Sequence, residues 1–308
     1  MFNLEPFRTL PTPGITKIKQ ITLSPNGQLL ALQDDKSSQL IVINIEGKLL
    51  AQATLSGPQK GLTFWPNSES LLFLGHLNAG DYGYLQQWEY KTGKITTPFK
   101  YPQWEDSYSD RFTMGKSKRY LVQFPPPTKN EPYCFCLDTK QNMLIKIPTC
   151  YSATFSSDDE YLAISGGSNI SLVNLKSHQS FILQGIKNYA WYILFAFSPN
   201  NSTFIGTYEG ILTSWHQIAP NQFKELPITV DKGRVISEVT FAEYVPQSEA
   251  LVIGDKNGSI IFLEHAQPSQ IRKFNNVHSH PIEQILFSVA GTEMYTIDKE
   301  TILFWRKT

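Results

Sequence analysis

The chain has 308 residues and carries 27 Lys+Arg against 27 Asp+Glu, so its formal net charge is zero. This balance argues against a broad surface for nucleic acid or another polyanion, which needs an excess of basic residues. Charged residues make up only 18% and aromatic residues reach 13%, which indicates a folded, aromatic-rich protein and excludes a disordered chain.

The N-terminal residues and the cysteines indicate the compartment. Residues 1–5 contain no basic segment followed by an apolar run, so no secretory signal is predicted, and no apolar stretch approaches the ~20 residues of a membrane-spanning helix. The odd number of cysteines favours reduced thiols over a disulfide framework. Cys134 and Cys136 would share one side of a strand and lack further ligands at metal-binding spacing, so we expect core packing. These features predict a cytoplasmic protein without a membrane segment.

A repeated unit runs through the whole sequence. Each copy has an aromatic or apolar residue, a polar turn such as Ser-Pro-Asn-Gly, and then an apolar run. The copies, spaced by 41 to 50 residues, begin at Leu23, Phe64, Met114, Phe155, Phe197, Phe241 and Phe287. A second landmark ends a later apolar strand of each copy, at Ile43, Trp88, Phe135, Val173, Trp215, Leu263 and Trp305. Both landmarks indicate seven units.

Each unit has room for four short strands, here called a to d. The strands are rich in Val, Ile, Phe and Tyr and bounded by turn residues, and four strands in about 44 residues match one propeller blade. The last unit ends with its third strand, and Phe2 to Leu10 are of the right size to supply the fourth. We therefore predict one all-β domain over residues 1–308. It is a seven-bladed β-propeller with four-stranded antiparallel blades, and residues 1–13 close the ring by pairing with the last blade.

The sequence resembles the WD40-repeat family of β-propellers over essentially its whole length. The Trp-Asp dipeptide is degenerate, with Trp88-Glu89 among the closest matches, and the family's b–c turn is best kept in Gly254 to Ile260. The family's Gly-His position is matched only by His278. Few blades can therefore build the family's buried His–Asp–Ser/Thr–Trp network, and we expect the blades to depend on apolar packing. The resemblance implies a rigid platform that holds protein partners.

Motifs that carry catalysis are missing from the sequence. It contains no Gly-x-Ser-x-Gly, His-Glu-x-x-His or P-loop pattern. We interpret His278 as a structural residue that braces a turn, His280 as solvated, and Asp158-Asp159-Glu160 as a solvated a–b turn. The prediction is no enzyme, no catalytic residue, no cofactor and no metal site. The alternative is a lactonase-like propeller enzyme that acts on a small molecule at the central channel, where it would need a cluster of His, Glu and Arg.

Four segments rich in aromatic residues or proline are predicted to open onto one face of the ring. They are residues 75–83, 100–110, 124–132 and 187–192, which connect strand b to c or strand d to a. Loops on a rigid scaffold commonly bind partners, Trp and Tyr are enriched in binding hot spots, and proline lowers the entropy lost on binding. The predicted partner-binding residues are Tyr82, Tyr101, Trp104, Tyr108, Pro126, Tyr189 and Trp191.

The charge of this face bears on the kind of partner. Aromatic residues can stack on single-stranded nucleic acid, but that mode needs a basic groove, whereas Asp81, Glu105, Asp106 and Asp110 lie in these segments. The acidic residues favour a partner with Lys or Arg. In another interpretation, the aromatic residues fold back over the blades or line the channel. We predict a non-catalytic, cytoplasmic scaffold or adaptor that binds a protein or peptide, alone or within a larger complex, without nucleic acid or membrane.

Overall fold

A computed structural model describes residues 4–55, 60–75, 84–98, 111–124, 133–148, 150–166, 169–183, 193–219, 222–230, 234–264 and 271–307. These residues form thirty β-strands and no helix. The strands build seven four-stranded antiparallel sheets and one short hairpin. The innermost strand of each sheet contacts the innermost strands of the sheets on either side, and the first sheet contacts the seventh. The chain is thus a seven-bladed β-propeller, as the repeat predicts.

The first three blades follow the predicted units. Blade 1 has β2 (Ile18–Leu23), β3 (Leu29–Asp34), β4 (Gln39–Asn44) and β5 (Leu49–Thr54). Blade 2 has β6 (Lys60–Phe64), β7 (Ser70–Gly75), β8 (Tyr84–Glu89) and β9 (Lys94–Thr96). Blade 3 has β10 (Arg111–Met114), β11 (Tyr120–Phe124), β12 (Tyr133–Asp138) and β13 (Met143–Pro148).

The next three blades include the hairpin. Blade 4 has β14 (Ser152–Phe155), β15 (Tyr161–Ser165), β16 (Ile170–Asn174) and β17 (Ser180–Ile182), and blade 5 has β18 (Ile193–Phe197), β19 (Thr203–Tyr208), β20 (Ile211–Ala219) and β21 (Gln222–Pro227). The hairpin is β22 (Thr229–Val230) and β23 (Arg234–Val235). Blade 6 has β24 (Val239–Tyr244), β25 (Ala250–Asp255), β26 (Ile260–Glu264) and β27 (Ile271–Phe274).

Blade 7 closes the ring. Its strands a to c are β28 (Gln284–Phe287), β29 (Glu293–Ile297) and β30 (Ile302–Lys307), and its strand d is β1 (Leu4–Leu10). The register runs from Leu4 opposite Lys307 to Leu10 opposite Ile302. Leu4 is fully buried with the apolar side chains between blades 6 and 7, and Leu10 packs between blades 7 and 1. The predicted closure by the N-terminal strand is confirmed.

The hydrophobic core is divided among the blade interfaces. Seven apolar clusters in the described residues each join two neighbouring blades. The neighbouring blades cover both faces of each blade. Its buried strands are therefore continuous apolar runs without polar alternation, as in the buried Leu30–Leu32 and Ile41–Ile43. Cys134, Cys136 and Cys150 lie buried in the cluster between blades 3 and 4. The expected packing of Cys134 and Cys136 in the core is therefore confirmed.

The polar turn of the repeat has a hydrogen-bonding function. In blade 1, the N–H of Leu29 donates to Ser24 Oγ at 2.9 Å, and Ser24 Oγ donates to Asn26 Oδ1 at 2.7 Å. Blades 4 and 5 repeat both bonds with Ser156 and Ser198 as the hydroxyl residues. The serine side chain thus satisfies the first N–H of strand b, which is why Ser recurs at this position.

Two of the predicted landmarks lie at the wrong residue. In blade 6 the residue before the a–b turn is Tyr244, which pairs with Leu251, so Phe241 was three residues early. The additional β22–β23 hairpin lengthens the chain between blades 5 and 6. In blade 3 the third-strand landmark is Leu137, which pairs with Leu121. The neighbouring Phe135 is only half-buried, so the aromatic side chain was misleading.

Candidate functional site

The seven predicted partner-binding residues lie outside the described part of the chain. These are Tyr82, Tyr101, Trp104, Tyr108, Pro126, Tyr189 and Trp191. The described strands beside them are β7 and β8, β9 and β10, β11 and β12, and β17 and β18. Each of these pairs is joined by a b–c or a d–a connection. The assignment of these residues to a binding site remains a prediction.

A groove lies between blades 6 and 7, where the b–c turns of both blades meet the d–a connection that joins them. Its cavity volume is about 710 Å³. The lining is mostly polar, with one ammonium group and several amides and hydroxyls. The lining residues are Thr9, Lys256, Asn257, Asn276, Val277, His278, Ser279, Thr301 and Leu303.

The blade 6 wall of the groove is a tight turn held by its own hydrogen bonds. Asp255 Oδ1 accepts the N–H of Asn257 at 2.9 Å and of Ser259 at 2.8 Å. Gly258 completes the turn with a φ of 73°, a left-handed conformation that L side chains rarely adopt. The Nζ of Lys256 lies 2.5 Å from Glu238 Oε1, and Asn257 Nδ2 donates to Glu238 Oε2 at 3.1 Å. The backbone of this wall is therefore fixed.

The blade 7 wall is supported by a buried chain of hydrogen bonds. Trp305 Nε1 donates to Thr296 Oγ1 at 2.8 Å, and Thr296 Oγ1 lies 2.8 Å from His278 Nε2. Because the indole N–H can only donate, the Thr296 hydroxyl is free to donate to Nε2, which places the imidazole proton on Nδ1. That nitrogen lies 2.9 Å from Thr301 Oγ1 and 3.5 Å from Asp298 Oδ2. The predicted structural role of His278 is confirmed.

Asp298 is the fully buried carboxylate of this network. Burial by itself would raise the pKa of Asp298, but hydrogen bonds from His278 and from the N–H groups of Glu300 and Thr301 hold that pKa well below its ordinary value. His280 Nδ1 also lies 3.5 Å from Asp298 Oδ2, and its Nε2 lies 3.8 Å from Glu300 Oε1. The His280 side chain is 26% exposed and lies beside two carboxylates, so its assignment as solvated is only partly correct.

The inner strand of blade 6 places a carboxylate at the central channel. Glu243 is half-buried on β24, and burial raises its pKa to about 7, opposed by Lys116 and by the N–H of Tyr244. Lys116 belongs to the a–b turn of blade 3, which does not adjoin blade 6, so this interaction crosses the channel. The corresponding inner-strand residues of blades 1 to 4 are threonines, at Thr22, Thr63, Thr113 and Thr154.

Neighbouring a–b turns are linked around the same mouth of the channel. Asp159 is buried and accepts the N–H groups of Lys116 and Ser117, each at 2.9 Å, from the turn of blade 3. Asn201 of blade 5 accepts the N–H of Ser157 in blade 4 at 2.6 Å. The assignment of the Asp158–Glu160 segment to the a–b turn is correct. For Asp159 the solvated interpretation was wrong, because its carboxylate joins two blades.

Several of these residues could not be found from the sequence. The b–c turn of blade 6 carries a family-like motif, which gave a signal for Lys256 and Asn257. Glu243 had a weaker signal, a charged residue at a strand position where other units carry threonine. Thr9, Thr301 and Leu303 gave none, because Thr9 reaches the groove only through closure of the ring by β1, and Thr301 and Leu303 reach it through the packing of blade 7 against blade 6.

The comparisons of the sequence with family models and curated proteins give no relative. No protein-family model matches the chain, and no curated protein matches its sequence. Among the described residues, no group of three His, Cys, Asp or Glu side chains is placed to hold a metal ion. No helix that could span a membrane occurs in the described ranges. The class that the fold defines is the seven-bladed β-propeller.

Proposed function

We propose that the protein is a non-catalytic scaffold or adaptor of the WD40-repeat type that binds a protein or peptide through its b–c and d–a face. We also propose that it acts in the cytoplasm, alone or within a larger complex. The observation that carries the proposal is the polar groove between blades 6 and 7 on that face. Its amides, hydroxyls and single ammonium are groups that can pair with a peptide backbone and its side chains.

The hydrogen-bonded network of blade 7 supports the family assignment. The sequence resemblance points to a buried network of His, Asp, Ser/Thr and Trp. Blade 7 contains one residue of each type in such a network: His278, Asp298, Thr296 and Trp305. The network also fixes one wall of the groove. A rigid wall loses little entropy on binding, so a partner keeps most of its interaction energy.

An affinity purification from the source cells tests the proposal. The double variant Lys256→Glu/Asn257→Ala changes the groove, and Trp104→Ala/Tyr108→Ala changes the predicted loop site. Lys176→Glu is the matched control, because Lys176 is also an exposed lysine paired with a glutamate, Glu160 at 3.1 Å, but lies on a c–d turn. We expect a stoichiometric partner that the control keeps and that at least one site variant loses. Failure of the wild-type protein to retain any partner would contradict the scaffold.

A second candidate is an enzyme that acts on a small molecule at the channel. The observation that favours it is Glu243, whose pKa of about 7 suits a general acid or base near neutral pH. Of the His, Glu and Arg cluster that such an enzyme needs, Glu243 would supply the glutamate. Lys116 is the charged residue that acts on the Glu243 carboxylate. A metabolite-turnover screen of the wild type against Glu243→Gln separates the two candidates, because only an enzyme has an activity that this substitution abolishes.

A further inference from the structure

The closing strand carries an exposed aromatic ring beside two arginines on the outer wall of the propeller. Between the pairs Pro6–Trp305 and Arg8–Phe304 the register shifts by one residue, so Phe7 is the extra residue of a β-bulge. A bulge redirects a side chain, and Phe7 is 60% exposed although the ends of the strand, Leu4 and Leu10, are buried. We call Phe7, Arg8 and Arg306 the closure patch.

The two guanidinium groups of the closure patch lie against aromatic rings. The guanidinium carbon of Arg8 is 5.9 Å from the centre of the Phe7 ring and 5.5 Å from that of Phe304. The corresponding distances for Arg306 are 5.4 and 5.5 Å. Phe7 meets Phe304 edge to face with ring centres 5.9 Å apart. Stacking on the rings holds both cations in place without covering their edges.

The charge of the closure patch is only partly neutralised. Arg306 pairs with Glu293 at 3.3 Å, and Arg8 donates to the uncharged carbonyl of Ile45 at 3.0 Å. Each guanidinium has five N–H donors, so both retain donors at the surface. An exposed ring flanked by such donors has the composition of a binding hot spot.

The backbone of β1 decides how a partner could bind here. An added strand needs a regular row of free N–H and C=O groups along the edge. Pro6 has no N–H, and the bulge at Phe7 interrupts the row, two features that protect edge strands from pairing. The closure patch therefore recognises side chains, with carboxylates on the arginines and an apolar group on Phe7.

We propose that the closure patch binds an acidic segment of a partner protein in which an apolar side chain lies next to Asp or Glu. Carboxylates pair with guanidinium edges in a bidentate manner. An anionic membrane fits less well, because Glu293 pairs with Arg306 and Glu5, which pairs with Arg272, lies opposite Arg306 in the strand register, so two carboxylates would face an extended negative surface. The patch is on the outer wall, so this proposal is independent of the groove.

A peptide titration tests the proposal on the full chain. The probe is a fluorescent peptide in which Glu alternates with Leu around a central Phe, and the control peptide has every Glu replaced by Gln. We expect the acidic peptide to bind the wild type, with an affinity that falls as salt is raised. Phe7→Ser and Arg306→Glu should each weaken binding by about tenfold or more. Arg306→Glu leaves the bond from Arg8 to Ile45 intact, and thermal unfolding checks that the ring stays closed.

The matched control is Ile182→Ser, because Ile182 is 63% exposed on strand d of blade 4 and should bind the peptide as the wild type does. Equal binding of the acidic peptide to the wild type and both patch variants would overturn the proposal. So would equal binding of the Gln peptide to the wild type. Cosedimentation with phosphatidylserine vesicles that depends on Phe7, together with no peptide binding, would assign the patch to a membrane instead and also overturn it.

Discussion

Gly258→Ala tests whether the blade 6 turn and the blade 7 network form one rigid unit. A Cβ at Gly258 would lie 2.3 Å from the backbone oxygen of His278 and 2.8 Å from that of His280, and neither backbone atom can rotate away. The left-handed φ of 73° adds a cost of about 1 kcal/mol for any residue with a Cβ. Relief of the clash would also break the bond from the N–H of His278 to the carbonyl of Gly258, now 3.1 Å.

The magnitude follows from these parts. The lost hydrogen bond costs about 1 kcal/mol, and displacement of His278 from Thr296 or Thr301 costs about another, which brings the total to about 3 kcal/mol. For a chain of this length 1 kcal/mol corresponds to about 1.5 °C in Tm, so we expect a fall of about 4–5 °C. Thermal unfolding followed by tryptophan fluorescence measures it.

Gly93→Ala is the control for this experiment. Gly93 has a similar φ of 76°, but a Cβ there would meet no atom within 4 Å, so only the backbone cost of about 1 kcal/mol applies. The expected fall in Tm is about 1.5 °C. Equal falls for the two variants would refute the claim that close packing of the turn against the His278 backbone supports the groove.

The remaining predictions concern closure, titration and thiol reactivity. Leu4→Ala should lower the free energy of unfolding by about 2–5 kcal/mol in a urea titration, because Leu4 is fully buried; a loss under about 1 kcal/mol would contradict tight closure. Burial raises the pKa of Glu243 from 4.5 to about 7 in the folded protein. The protonated side chain therefore favours the folded state at low pH, and the free energy of unfolding should fall by about 3 kcal/mol as the pH rises from 4.5 through 7. Glu243→Gln should remove this part of the pH dependence, and identical profiles would refute it. Burial raises the thiol pKa of Cys136, and a hydrogen bond to Cys134 together with burial raises that of Cys150. A thiol reagent should therefore label them only after unfolding, and labelling of the native protein would contradict the core assignment.

The repeat could be predicted because it is encoded locally. Each unit repeats a turn in which a hydroxyl or carboxamide side chain satisfies the backbone, as at Ser24 and Asn26. The apolar runs beside these turns reflect sheets that are buried on both faces. The two misplaced landmarks, Phe241 and Phe135, show the limit of this approach. An inserted hairpin or a neighbouring aromatic residue leaves the pattern plausible, although the landmark residues are Tyr244 and Leu137.

The candidate site could be predicted only in outline. His278 was identified as structural because its position matched a family motif, and the network around it agrees. Asp159 was assigned to solvent, yet it is buried and accepts hydrogen bonds from the turn of blade 3, and His280 is only partly exposed, with Nδ1 3.5 Å from Asp298 Oδ2. A sequence pattern describes the unit that contains a residue and does not reveal what the next blade presents to it.

The sequence by itself determined the number of blades, the identity of their strands and the use of the N-terminal segment as the closing strand. These properties depend on contacts within one unit and on the count of units, both of which follow the order of the chain. The tertiary structure alone decided the groove, the burial of the Glu243 carboxylate on the inner strand of blade 6, and the closure patch. Each of these joins side chains of different blades or of the two ends of the chain, and only the packing of the assembled ring brings them together.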